Sequence, residues 1–262
     1  MLTSIFESHA HYDDDAFNDD REQLLDTMAE HGIGTIIDVG ASMESTRKAV
    51  ELAHRYPFIY AAAGVHPNET GDLTEADIQE LQKLAADPKV VAIGEIGLDY
   101  HWDEPARQIQ KQWFIRQLQL AKEVKLPVII HSRSAAMDTL DIMKSEHAEE
   151  LNGVIHCYSY SKESAKTFLD MGYYFGIGGV VTFQNAKKLK EAVQYLPIDN
   201  ILLETDSPYL APVPNRGKRN DSRNLPIIAH AIAELKGLTD EEVIRITARN
   251  AQHLFTKTAQ HH

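Results

Sequence analysis

The chain has 262 residues, 43% of them hydrophobic and 25% charged, with a net charge of −13 and a pI near 5.4. This is the balance of a soluble globular protein long enough to bury a full core without staples. Its acidity excludes binding of nucleic acid or an anionic membrane through the surface as a whole, though not through a local site.

Short apolar runs alternate along the chain with polar stretches of helical period. Ile5-Phe6 precedes a helical stretch over 20–30, 35–39 precedes 42–56, 58–63 precedes 74–86, and 90–93 precedes 105–125. Then 128–130 precedes 135–144, 153–155 precedes 161–171, 173–177 precedes 186–195, and 201–203 precedes 225–236, with an extra helix over 240–255. Thr74-x-x-Asp77 and Thr239-x-x-Glu242 have the capping-box pattern, and Gly172 and Gly237 stand where glycines end helices. Repeated strand–helix units with nearly all-apolar strands imply a parallel sheet covered on both faces. Eight of them in about 250 residues predict a (β/α)8 TIM barrel, a single domain over 1–262, with an open doubly wound sheet as the rival.

One cysteine, Cys157, rules out a disulfide within the chain. A reducing, cytoplasmic location is expected, since the sequence also lacks the pattern of a secretory signal. No apolar run nears the ~20 residues that span a bilayer. No membrane partner is expected, and the chain is expected to be a monomer.

The chemistry sits at the ends of the predicted strands. His9 and His11 end the first, Glu95 the fourth, His131 the fifth, His156 the sixth and Asp206 the eighth. In a barrel those ends converge on the rim where active sites of this fold lie. Residues i and i+2 share a strand face, so His9 and His11 point the same way and can chelate one ion. Four imidazoles and two carboxylates exceed the needs of one ion. Two divalent ions sharing a bridging carboxylate would use them all, with zinc, manganese or magnesium as candidates. A lone histidine after an apolar run is ordinarily a satisfied core residue. Six metal-type residues at equivalent strand ends are not, because buried carboxylates need partners to offset desolvation.

The stretches "ESHAHYD", "AAGVHPNE", "AIGEIGLDYHWD", "PVIIHSRSA", "GVIHCYS", "LLETDSPYLAP", "RGKRN" and "TARNAQHLF" run in order from residue 7 to residue 255. Together they resemble the TatD family of metal-dependent hydrolases, amidohydrolase-type barrels. Several members are described as 3′→5′ or magnesium-dependent deoxyribonucleases, and some are linked to removal of D-amino acids from tRNA. The resemblance implies that His9 and His11 hold a first ion, Glu95 bridges, and His131 and His156 hold a second. It also implies that Asp206 binds the first ion and acts on the nucleophilic water, which makes Asp206 and Glu95 the catalytic pair. Two positions depart from the family pattern. Glu7 stands in place of Asp, where its extra methylene is expected to shift a contact behind the ligands. Tyr160 stands in place of Gly, where it is expected to narrow the pocket mouth.

Weaker expectations surround this set. His66, Arg133 and Arg219 are candidate substrate contacts, the last within a basic segment, 215–223, read as a local phosphate patch. Asp99 is read as a support for a ligand or a loop anchor, and Tyr100 and Trp102 as possible base-stacking surfaces. The acids Asp13 to Asp15 are read as favourable charge at a helix start rather than another metal site. Cys157 is expected to alternate away from His156 and pack. The leading function is hydrolysis of DNA phosphodiesters. The alternatives are an ester or amide hydrolase, such as a deacylase of D-aminoacyl-tRNA, and a non-enzymatic metal or nucleic-acid binder. The open, carboxylate-rich ligand set speaks against the last.

Overall fold

Each of the eight apolar runs forms a strand, and each strand is followed by helix. The computed structural model describes residues 4–102 and 104–261, the side chains of 259–261 excepted. The order is β1 (Ile5–Ala10), α1 (Arg21–Asp26), β2 (Ile33–Val39), α2 (Met43–Arg55), β3 (Ile59–Ala63), α3 (Glu75–Ala85), β4 (Val90–Asp99) and α4 (Arg107–Val124). There follow β5 (Val128–Arg133), α5 (Ala136–Ser145), β6 (Gly153–Ile155), α6 (Lys162–Asp170), β7 (Tyr174–Ile177), α7 (Lys187–Tyr195), β8 (Ile201–Leu203), α8 (Leu225–Lys236) and α9 (Asp240–Leu254). All neighbouring strands pair in parallel, in sequence order. The segment after β8 returns to β1. Ala10 bridges to Ser207, His11 N–H donates to Ser207 O at 2.8 Å, and Asp206 N–H donates to His9 O at 2.9 Å. The result is the (β/α)8 barrel, not the open sheet.

Side chains alternate along each strand, so one set points into the barrel and the other toward the helices. The inward set includes Phe6, Ile37, Tyr60, Val91, Ile129 and Leu202, all buried. The same cluster takes in Leu254 and Phe255 at the end of α9, and Phe255 stacks on Phe6 with ring centroids 6.1 Å apart. Asn250 Nδ2 donates to the carbonyls of Ile198 and Ile201, at the start of β8. The helix predicted as an extra is therefore the plug of the barrel's N-terminal end.

Local signals held where the chemistry is strong. Both capping boxes form, at Thr74–Asp77 and Thr239–Glu242, and Gly172 and Gly237 adopt positive φ. Two boundaries differ from the reading of the sequence. The helix expected over 20–30 is cut at Asp26 and continues as a 3-10 turn over Met28–His31. Strand β4 does not end near Glu95 but runs on to Asp99, with a register shift against β5 between Ile93 and Ile96. Among the described residues no helix is long and apolar enough to cross a membrane.

Removing the plug's anchor tests this packing. Phe255→Ala is expected to lower the unfolding free energy by about 3–5 kcal/mol, read from urea denaturation, because it empties a fully buried ring volume. Unchanged stability would show that α9 does not seal the barrel.

Candidate metal centre

The strands deliver all six expected ligands to one place. His9 and His11 leave β1 on one face, with their Nε2 atoms 3.1 Å apart. Glu95, from within β4, stands between two imidazole pairs. Its Oε2 lies 3.4 Å from His9 Nε2 and 3.8 Å from His11 Nε2. Its Oε1 lies 2.7 Å from His131 Nδ1 and 3.5 Å from His156 Nε2. Asp206 Oδ1 lies 3.5 Å from His11, 3.7 Å from His156 and 3.9 Å from His9, measured to Nε2 each time. Its backbone has φ +58°, a left-handed conformation that turns the chain at the rim directly after β8.

The chemistry of these donors fits divalent cations. His11 Nδ1 lies 2.7 Å from the Val39 carbonyl, which only accepts, so the neutral ring carries its proton there and turns the Nε2 lone pair inward. That lone pair faces another imidazole nitrogen and two carboxylate oxygens. Acceptors that converge in a buried place require positive charge between them. The ligand atoms of His9, His11 and Asp206 lie within 4.8 Å of one another, as do those of His9, Glu95 and His156.

The carboxylates and imidazoles of the cluster shift one another's protonation. Burial disfavours charge on His11 and His156, yet both are pushed up, to about 10 and about 9. The bond from Asp206 and the charge of Glu95 raise His11, while the charges of Glu204 and Glu95 raise His156. Burial also pushes Glu95 and Asp206 upward, but the surrounding imidazoles outweigh it and hold both carboxyls below their ordinary values.

Around the centre lies a cavity of about 850 Å³. His66 lines it, with its Nδ1 accepting from Asn68 N–H at 3.1 Å, which leaves the proton on Nε2. Burial, then the charge of His131, lowers its pKa to about 3, so this ring is neutral. Arg133 lines the cavity from the end of β5, exposed and without an ion pair among the described residues. Trp102 also lines it and is 66% exposed, its ring edge-to-face with His101. Tyr100 lies outside the lining, with its hydroxyl donating to Asp138 at 2.6 Å.

Several expectations are corrected here. Arg219 does not join the site: it forms a two-pronged pair with Asp20 at 2.7 and 2.6 Å and stacks over Phe17. Arg223 pairs with Asp221 and Arg216 covers Phe183, so the basic segment braces loops and supplies no residue to the cavity. Cys157 faces the cavity rather than the opposite side, because β6 ends at Ile155 and φ +45° at Cys157 breaks the strand alternation. Tyr160 does not narrow the mouth. Its hydroxyl reaches Ser132 Oγ at 3.0 Å and accepts from Ala135 N–H, tying down the turn after β5. Glu7 turns toward the β8 side. It accepts from Thr205 N–H, Thr205 Oγ and Ser222 Oγ at 2.8, 2.6 and 2.9 Å, and burial pushes its carboxyl up to about 8 against those bonds. Asp14 caps the short turn that follows it, as a helix-start acid should, while Asp13 is buried on the cavity wall.

One residue that the structure places at the centre was not singled out in the sequence. Glu204, buried beneath the centre, has Oε1 3.1 Å from His156 Nδ1 and accepts from Cys157 N–H at 2.6 Å. Its position directly after β8, two residues before Asp206, was the available signal.

The chain is similar to known proteins along nearly its whole length. A family model described as TatD related DNase matches residues 6–256. The uncharacterized metal-dependent hydrolase YabD of Bacillus subtilis is 45% identical over 251 residues, spanning 96% of this chain and 98% of that protein. The uncharacterized metal-dependent hydrolase YcfH of Escherichia coli K12 is 36% identical over 254 residues, spanning 96% and 95%. The crystal structure of YjjV, a TatD homolog from Escherichia coli K12, superposes with a TM-score of 0.92 at 31% identity, covering 98% of this chain and 99% of that one. With the buried imidazoles and carboxylates at the rim of its barrel, the chain belongs to the TatD related DNase family and is a metal-dependent hydrolase.

Proposed function

We propose that this hydrolase is a deoxyribonuclease that removes nucleotides from a 3′ end, with two divalent ions at the rim. His9, His11 and Asp206 would hold one ion and His131 and His156 the other, with Glu95 shared between them. The observation that carries the metal reading is the division of the Glu95 carboxylate, one oxygen toward each imidazole pair. Magnesium, manganese and zinc all suit such a mixed set.

Bound ions of this kind acidify a water and offset the charge that builds on phosphate oxygens. Asp206, whose carboxyl the neighbouring imidazoles hold below its ordinary value, would orient the attacking water and take its proton. The neutral His66 donates Nε2–H to a phosphate oxygen, and the unpaired Arg133 binds the adjoining phosphate. Trp102 offers its face to a base. These three groups come from the ends of β3, β4 and β5. Acids also line the cavity, Asp13 and Asp14 beyond β1 and Glu69 beyond β3. Such acids limit how many phosphates the mouth can hold, which favours a substrate presented by its end. The same acids favour a second reading, hydrolysis of an aminoacyl ester on tRNA, because they would receive the α-ammonium group.

End-labelled single-stranded DNA and a D-aminoacyl-tRNA, each with and without chelator, separate the two readings. Chelator-sensitive shortening of the DNA is expected, and turnover of the tRNA alone would overturn the first reading. Asp206→Asn is expected to cut the rate by roughly 10²–10⁴. His9→Ala combined with His11→Ala should lose metal and turnover together. Retention of both would refute the ligand assignment.

Protonation gives a further prediction. The raised pKa values of His11 and His156 stabilise the metal-free fold fully below the ordinary imidazole value of 6.5. That contribution disappears as pH climbs through about 9 to 10. Metal must displace these protons. The thermal midpoint of metal-free protein should therefore fall between pH 6.5 and 10 relative to loaded protein, and loading at pH 7 should release protons into a weak buffer. A pH-independent gap with no proton release would contradict this.

A further inference from the structure

The two halves of the centre differ in what stands behind their imidazoles. In the half made by Glu95, His131 and His156, each ring turns its far nitrogen to another buried carboxylate. His131 Nε2 lies 3.0 Å from Asp99 Oδ2, and His156 Nδ1 lies 3.1 Å from Glu204 Oε1. The second is an ion contact without a hydrogen bond, so what separates His156 Nδ1 from His9 Nδ1 is the carboxylate charge beside it. In the other half His11 Nδ1 meets only the neutral carbonyl of Val39, and His9 Nδ1 is buried with no hydrogen-bond partner among the described residues.

The supporting carboxylates occupy places made for them. Strand β7 has glycine at 176, where a Cβ would collide with Glu204 Oε2. That oxygen is itself buried and unbonded among the described residues. Asp99 is 2% exposed and is oriented by His101 N–H, which donates to its other oxygen at 2.8 Å. Among the described residues the ion contacts of Asp99 and Glu204 are with these two rings alone. Their negative charge is therefore available to the imidazoles. A carboxylate behind an imidazole fixes which nitrogen faces the ion, strengthens that nitrogen as a donor and offsets the ion's charge.

We infer that the centre is built to hold its ions unequally. The Glu95–His131–His156 half fills first and releases last, with Asp99 and Glu204 as positioning residues. This rests on the ligand part of the proposed function and not on the substrate.

The test reads metal, not turnover. Full-length protein is loaded with Zn²⁺, dialysed against graded chelator, and assayed for zinc per chain. Wild type is expected to pass through a plateau of one retained ion, which His11→Gln keeps and His131→Gln loses. Glu204→Gln and Asp99→Asn preserve shape and remove charge. Each should weaken retention of that ion by roughly 10–100-fold and leave release of the other unchanged. If the amide at 204 prevents folding, judged by circular dichroism, Asp99→Asn decides alone. Simultaneous loss of both ions from wild type overturns the inference. So does an ion kept by His131→Gln and lost by His11→Gln, or wild-type zinc release from both charge-removed variants. Protein that binds no zinc at all defeats the ligand reading and this inference with it. Zinc retention as described without DNA turnover removes only the substrate reading.

Discussion

The arrangement depends on one carboxylate held where its two oxygens face different pairs of imidazoles. Glu95 occupies the middle of β4, where it is nearly inaccessible to water, and the charge of the site is organised around it. A buried carboxylate is costly unless paired. Here its partners are rings from β1, β5 and β6, strands that only a closed barrel brings together. The cost is bearable because each imidazole can present either a proton or a lone pair. The same pocket is thus stable with protons and ready for cations. The hydrogen bond of His11 to Val39 shows how this is prepared from behind, by a backbone carbonyl that is part of β2.

The sequence made most of this legible, for identifiable reasons. Strands buried on both faces leave unbroken apolar runs, and glycine, proline and capping residues punctuate the helices between them. All eight strands could be placed from that pattern alone. The candidate ligands stood out together, because six metal-type residues at equivalent strand ends are harder to explain as packing than any one of them alone. His9 and His11 were the clearest pair, since strand alternation dictates a shared face. The resemblance of "ESHAHYD" and "AIGEIGLDYHWD" to a known family then supplied the division of labour among them.

What was illegible depended on partners far away in sequence. Arg219 looked like a free cation in a basic run, but the bridge to Asp20 spans most of the chain. Arg133, with equally bland surroundings in the sequence, makes no ion pair among the described residues. Cys157 was misplaced because alternation was carried past the end of β6 into a residue with positive φ. Glu204 was overlooked because its neighbour Asp206 was the more obvious ligand. Its importance appears only when Gly176 of β7 is seen to make room for it. For Arg219 and Glu204 only three-dimensional proximity decided the use of the side chain, whereas Cys157 turned on where a strand ends.

The residues that would hold metal lie on strands or within three residues of a strand's end, while Trp102, Tyr209 and Leu210 of the cavity lie on the segments that follow. The strand layer is locked by the barrel's hydrogen bonds, and by the interior cluster that Phe255 closes from below. The overlying segments have no such obligation to the fold. Insertions or exchanges there can therefore accumulate without unsettling the reactive layer. A lineage built on this barrel can change what it reads while keeping how it cuts, so relatives with nearly superposable ligands need not share a substrate.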